Sequence, residues 1–207
     1  MTLGLVLLGS FLLGSLPFGL WIAAMRGVDI RRVGSGNIGA TNVHRALGKT
    51  WGILVFVLDV LKGLVPVLVA RQLLGDQQLA GLAGFVAVLG HCLSPFLGFK
   101  GGKGISTGLG ALFGATPLVG LSAFVTFAIL LWRTRYVSLS SMIASLALVP
   151  FGLIFRDPPL MVVFYFIFFA FVVYRHRSNI ERLRAGTENK FTWKRPPEPK
   201  RDDEDAA

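Results

Sequence analysis

The chain has 207 residues, 53% of them hydrophobic, and a mean hydropathy of +0.64, more apolar than soluble domains of this length. Its net charge of +10 does not mark a nucleic-acid binder, because 18 of its 21 Lys and Arg fall in four polar segments, 26–50, 100–103, 133–135 and the stretch from Arg175. The lone cysteine, Cys92, excludes an internal disulfide.

The apolar runs predict an all-α integral membrane protein with seven transmembrane helices, some of them short. Residues 3–25 form the first span, with a kink at Pro17. No charge precedes it and it is long enough to cross the hydrocarbon core, which argues against a cleaved signal. Residues 26–50 form a polar loop. The second span covers 51–70, a link runs from Arg71 to Gln78, and the third span covers 79–97. The region 104–132 is long for one span and short for two. Gly114–Pro117 interrupts it, which predicts two short helices, 104–115 and 117–132. The sixth and seventh spans are 138–155 and 159–174.

The positive-inside rule sets the orientation. An outside N-terminus and a cytoplasmic C-terminus put the 26–50 loop, Lys100, Lys103, Arg133, Arg135 and everything from Arg175 on one side. Lys62, Arg71 and Arg156 are the exceptions. Lys62 lies three residues from Asp59, so the two can neutralise each other within the second span. Trp21, Trp51, Trp132 and Tyr174 fall near span ends, as an aromatic belt does. Residues 1–190 read as one domain, and 191–207 as a disordered charged tail.

Three polar clusters could carry chemistry. Gly98–Thr107, GFKGGKGIST, concentrates glycines beside Lys100 and Lys103. Glycine backbones can turn N–H groups toward an anion, so Gly101, Gly102 and Gly104 form a candidate phosphate cradle. It is not a Walker A loop, because Gly104 follows Lys103 where Ser or Thr is needed. A glycine-rich connector is the alternative. Arg31–Lys49 adds Ser35, Gly36, Asn37, Thr41 and Asn42 as donors, and Arg45 as a planar fork for phosphate oxygens. The plain alternative is a solvated turn opening a helix near Thr41 or Asn42. Arg175–Lys190 brings His176 and Asn179, three apart and so on one helical face. It also reads as an interfacial amphipathic helix.

Ser138, Ser140 and Ser141 open the sixth span at the same depth, as helix caps or as site residues. His91 could brace the cradle, and a buried structural role fits it equally. His44 reads as a surface residue. There is no metal-ligand spacing, no nucleophile elbow and no paired carboxylate in the membrane. The reading is an anion site without a protein nucleophile, where a phosphorylated polar substrate meets a lipid one. A transporter of a phosphorylated solute is the rival. It predicts inverted halves and basic residues deep in the spans, where only Lys62 qualifies.

Three stretches resemble the signature motifs of one family: GSGNIGATNVHR (34–45), GHCLSPFLGFKGGKGIST (90–107) and RHRSNIERLRAGTENK (175–190). Their order and spacing are similar to those of the bacterial acyl-phosphate:glycerol-3-phosphate acyltransferases, over residues 1–190. Arg184 departs from the family, which more often has an apolar residue there. The resemblance implies a seven-span enzyme of the bacterial inner membrane with its site toward the cytoplasm. It implies acyl transfer from acyl phosphate to the 1-hydroxyl of glycerol 3-phosphate, with no cofactor or metal. It carries over Ser35, Arg45, Lys103, His176 and Asn179 as essential, and Glu188 as structural. Gly101, Gly102 and Gly104 become a phosphate loop, and Ser141 a weaker carry-over. Gly36, Asn37 and Lys100 join the expected substrate contacts. The base is left open between His176 and a substrate phosphate. Thioester-dependent acyltransferases use a His-x-x-x-x-Asp arrangement, which none of the three histidines provides.

Overall fold

Pro17 breaks the first apolar run into α1 (Thr2–Ser15) and α2 (Phe18–Met25) of a computed structural model, which describes residues 1–192. Proline cannot donate a backbone bond, so carbonyls near such a break need other partners. Ser94 Oγ donates to the Ser15 carbonyl at 2.7 Å and Lys62 Nζ to the Leu16 carbonyl at 2.7 Å. The kink is thus tied to two other parts of the bundle.

The polar loop contains a short helix, α3 (Ala40–Leu47), which packs beside α4 (Lys49–Leu74). The second span is longer than expected. Arg71 lies inside α4, and Gly75, in the left-handed region at φ 66°, ends it. Asp76 then caps α5 (Gln77–Cys92), its Oδ1 accepting from the N–H groups of Gln78 and Leu79 at 2.7 and 2.8 Å. A 3-10 turn at Pro95–Leu97 leads to the glycine loop and α6 (Ile105–Ala115). The break at Thr116 separates α6 from α7 (Pro117–Thr134), as expected from the sequence. Next come α8 (Val137–Ile154), α9 (Pro159–Arg175) and α10 (Arg177–Arg184).

All regular structure among the described residues is helical. Five segments are long and apolar enough to cross a bilayer, or six if α9 and α10, bent by 60°, count as one. The remaining apolar helix, α6, has 11 residues and so reaches only about 16 Å. The seven expected spans include it. Its far end is closed inside the bundle: Gln77 Nε2 donates to the Ala115 carbonyl at 3.1 Å, and the Tyr165 hydroxyl bridges Thr116 and Asp157. Gly63 and Gly110 let α4 and α6 touch backbone to backbone. A Cβ on either would strike a carbonyl of the opposite helix.

Large apolar side chains such as Leu12, Leu54, Leu61, Leu121, Ile129 and Phe166 face outward. Many buried positions are small or polar, including Ser10, Ala83, Ala87 and Ser140. This distribution suits lipid as the surrounding solvent. Asp59 and Lys62 form the expected pair at 2.7 Å, with side chains 4% and 1% exposed. Breaking one partner of such a pair strands the other charge. Lys62→Met is expected to destabilise the protein by about 3–5 kcal/mol, and Asp59→Leu added to it to restore much of that loss. Thermal unfolding in detergent measures both; equal midpoints for Lys62→Met and wild type refute the expectation.

At the end of the bundle that carries the polar clusters, arginines stack on aromatic rings. Arg26 lies 5.1 Å from the Trp51 ring centre, Arg133 5.8 Å from Trp132 and Arg177 5.0 Å from Tyr174. His44 is buried there, not exposed as the sequence implied. It packs on Gly52 of α4, its Nε2 lies 2.8 Å from the Thr192 carbonyl, and its ring lies against Phe191. The Phe191 N–H also donates to the Arg135 carbonyl at 2.6 Å. The chain just past Lys190 is therefore anchored, beyond the domain limit expected from the sequence. Most of the expected tail, residues 193–207, lies outside the described residues.

Candidate active site

The site begins in the loop before α3. Gly34 and Gly36 adopt positive φ values of 59° and 67°, which folds the chain into a tight turn around Ser35. Asn42, buried in the first turn of α3, holds that turn. Its Oδ1 accepts from the Ser35 N–H at 3.0 Å, and its Nδ2 donates to the carbonyls of Ile30 and Val33 at 3.1 and 2.9 Å. Asn37 accepts from the Gly39 N–H at 2.8 Å. The sequence had grouped Asn42 with ligand donors; the structure makes its amide an internal brace. Ser35, which is exposed, lines the cavity together with Asn37 and Arg45. Gly36 shapes the turn without lining the cavity.

The glycine loop departs from the expected cradle. The N–H groups of Gly101 and Gly102 donate to the carbonyls of Cys92 and His91 at 3.0 and 3.1 Å, so they are not presented to a ligand. Arg175 Nη2 reaches the carbonyls of Gly101 and Gly102 at 2.7 and 2.8 Å. A side chain on Gly102 would strike the His91 ring. These two glycines lock the loop between α5 and α9. The ligand-facing part is its end: Gly104, at φ 79°, caps α6, and Lys103, Gly104, Ile105 and Ser106 line the cavity. Helix-starting N–H groups lack helical partners and favour anions. Lys100 is exposed and does not line the cavity.

The third cluster closes the site. Lys103 Nζ donates to Asn179 Oδ1. Asn179 Nδ2 donates to Glu188 Oε1 at 2.7 Å, Ser138 Oγ donates to the same oxygen at 2.7 Å, and Arg182 Nε donates to Oε2 at 2.8 Å. Burial alone would raise the Glu188 carboxyl. The bonds from Asn179, Ser138 and Arg182, with the Arg182 charge, outweigh it and hold Glu188 below its ordinary range. Burial lowers the Lys103 ammonium to about 8. Glu188 opposes this, whereas the charges of Arg182, Arg45 and Arg175 add to it.

His176 caps the junction of α9 and α10. Its Nδ1 lies 2.8 Å from the Val172 carbonyl, which can only accept, so Nδ1 carries the proton. In the neutral ring Nε2 is then an acceptor. Burial, followed by the Lys103 charge, lowers His176 to about 4, although the Val172 bond and Glu188 work the other way. The ring is neutral near pH 7.

These groups surround one cavity of about 190 Å³. It collects Ser35, Asn37, Arg45, Lys103, Gly104, Ser141, His176, Asn179 and Glu188 from segments far apart in sequence. Ser141 lines it but bonds the Val137 carbonyl of its own helix at 2.8 Å; Ser138 is the serine joined to the network. Sequence reasoning missed Arg175 and Arg182. Arg182 lies three residues past Asn179, a spacing that signals a shared face. Nothing local marks Arg175 as the clamp on a loop more than 70 residues away. From the polar end the cavity runs between helices along Leu109, Phe124, Phe127, Ala144 and Leu148. Lys62, the deep cation that a transport pathway would use, does not line it.

Fold and site define an integral membrane protein that gathers oxyanion donors at one end of an apolar cleft, an arrangement suited to joining a phosphorylated head to a lipid chain. Residues 4–186 match the family model described as glycerol-3-phosphate acyltransferase, and the chain belongs to that family. A glycerol-3-phosphate acyltransferase of Geotalea daltonii is 48% identical over 186 residues, covering 90% of this chain and 96% of the relative. A crystal structure of PlsY, an integral membrane glycerol 3-phosphate acyltransferase, in its glycerol 3-phosphate form is 43% identical. It has a TM-score of 0.89 and covers 93% of this chain and 96% of that one. The lysophosphatidic acid form of PlsY gives a TM-score of 0.85 at the same identity, over 93% and 97% of the two chains.

Proposed function

We propose that this protein transfers a fatty acyl group from acyl phosphate to the 1-hydroxyl of glycerol 3-phosphate, releasing lysophosphatidic acid and phosphate. The observation that carries this reading is a cavity that is polar and cationic at one end and apolar along its depth. Membership of the glycerol-3-phosphate acyltransferase family supports the acceptor. The donor is argued from chemistry. An acyl phosphate is a mixed anhydride with a good leaving group, so no protein nucleophile is required.

Arg45, Lys103 and Asn179 hold the phosphate of glycerol 3-phosphate. The Ser35 hydroxyl and the start of α6 at Gly104 hold the phosphate of the donor. Glu188 fixes Asn179, and with it Lys103. The hydroxyl oxygen attacks the acyl carbon, the bond from carbon to the phosphate oxygen breaks, and the hydroxyl proton ends on phosphate. His176, near 4, is a weak base at neutral pH. A phosphate with a second pKa of about 6 is the stronger one. His176 therefore accepts a hydrogen bond from the hydroxyl through Nε2 and aims it, and phosphate takes the proton. Catalysis rests on positioning and on stabilising charge as it develops. The reaction takes place at the cytoplasmic face of the bacterial inner membrane, as the clustered cations at the site end support.

Purified protein in detergent, given acyl phosphate and glycerol 3-phosphate, is expected to release phosphate; acyl-CoA in place of acyl phosphate is the control. Turnover with acyl-CoA alone would reverse the donor assignment. No turnover with either would remove the proposal.

The Lys103 titration adds a second expectation. Its charge is present below about 8 and is lost as pH rises through that value. The kcat/KM for glycerol 3-phosphate should fall on the alkaline side with an apparent pKa near 8. In Lys103→Arg that limb should vanish from the remaining activity, because Arg stays charged. An unchanged alkaline limb in Lys103→Arg assigns it to another group.

A further inference from the structure

Just past α10 the chain turns back toward the site. Gly186 takes a positive φ of 69°, and the Thr187 N–H donates to the Arg182 carbonyl at 2.8 Å. Glu188 is then pinned by its bonds from Asn179, Ser138 and Arg182. Three residues on, the chain is pinned again. The Phe191 ring lies against His44 of α3 with ring centres 5.2 Å apart. The Phe191 N–H donates to the Arg135 carbonyl, in the turn between α7 and α8, at 2.6 Å. The Thr192 carbonyl lies 2.8 Å from His44 Nε2. Between the two pins, the Asn189 carbonyl accepts from Arg45 Nη2 at 3.2 Å. A carbonyl fixed on both sides fixes the guanidinium it holds. That bond uses one of the five N–H donors of an arginine, which leaves the rest of the fork for a phosphate. The helix that carries Arg45, α3, packs on α2 and α4. Residues 188–192 join it across to α8 and α10, which bring Ser138 and Asn179 to the site.

We propose that residues 189–192 are a strap that holds Arg45 ready for the phosphate of glycerol 3-phosphate, with Phe191 as its anchor. The proposal rests on the acyltransferase reading, in which Arg45 takes the acceptor phosphate. It adds Phe191 as a positioning residue that touches no substrate. A loose arginine must give up its rotamers when it grips a ligand. In this fold the strap has already restricted them. The donor phosphate is held elsewhere, at Ser35 and the start of α6, so loosening the strap should weaken one substrate and spare the other.

The test compares Phe191→Ala with the wild-type protein in detergent. Steady-state rates give the KM for each substrate, and isothermal titration with glycerol 3-phosphate gives its Kd without turnover. Phe191→Ala is expected to raise the KM and Kd for glycerol 3-phosphate about tenfold, the upper end of what ordering one long side chain costs. The KM for acyl phosphate should stay as in wild type. Phe191→Tyr, which keeps the ring, should restore the affinity for glycerol 3-phosphate. In an Arg45→Met background, Phe191→Ala should cost nothing further, because the group it positions is gone. Should Phe191→Ala fail to fold, Phe191→Leu, which loses the flat ring and keeps apolar bulk, is measured in the same way. Unchanged affinity for glycerol 3-phosphate in the folded variant overturns the strap. So does an equal rise in both KM values, or a full effect of Phe191→Ala on top of Arg45→Met. If no acyl phosphate is turned over but the Kd for glycerol 3-phosphate still rises in Phe191→Ala, the donor assignment fails and the strap stands. If the wild-type protein binds no glycerol 3-phosphate, both fall.

Discussion

Replacing Lys103 by Met is expected to lower kcat/KM for glycerol 3-phosphate by about 10²–10³-fold, within the range for losing one partner of a buried charged hydrogen bond, here to the substrate phosphate. Met keeps much of the aliphatic stem, so packing changes little. The lost group is the ammonium that joins the end of the glycine loop to Asn179, and through it to Glu188. The protein should stay folded, because Glu188 retains its bonds from Asn179, Ser138 and Arg182. Steady-state rates, with thermal unfolding in detergent as the folding control, give the answer. A variant with wild-type kcat/KM would remove Lys103 from the chemistry. A raised KM with unchanged kcat would confine it to binding.

Arg175→Met should do comparable damage by another route. Arg175 touches no substrate in the proposed arrangement. Its guanidinium bonds the carbonyls of Gly101 and Gly102 at 2.7 and 2.8 Å, and removing it strands both acceptors. Hydrogen bonds to a charged group contribute about 1.5–3 kcal/mol each, so about 3 kcal/mol or more of stability should be lost. The loop between them and Lys103 would then lose its register, and a misplacement of about 1 Å can cost 10²-fold in rate. The separating measurement is the pH profile. If Arg175 only positions the loop, the surviving activity of Arg175→Met should keep an alkaline limb from Lys103. Full stability with full activity would show that the clamp is dispensable.

The break at Gly114–Pro117 was legible because proline and glycine act locally, and the two helices fall where the sequence put them. The membrane class was legible because lipid demands long apolar helices whatever their neighbours. His44 was misread for the opposite reason. Nothing near it in sequence announces that Phe191 and Thr192 will cover it. Lys100 and Lys103 are alike by residue type and setting, and only the family resemblance set Lys103 apart. Only Lys103 lies at the start of α6, within reach of Asn179; Lys100 faces away on the exposed part of the turn. Asn42 looked like a ligand donor, yet both ends of its amide are bonded within its own loop.

The sequence by itself determined the medium, the order of the helices and the three segments that carry polar chemistry, since hydropathy, helix breakers and charge placement are read one stretch at a time. The tertiary structure alone decided which donors face the ligand. A backbone N–H can serve either a phosphate or another carbonyl. At Gly101 and Gly102 the choice went to the carbonyls of α5, because Arg175 and His91 press the loop against that helix.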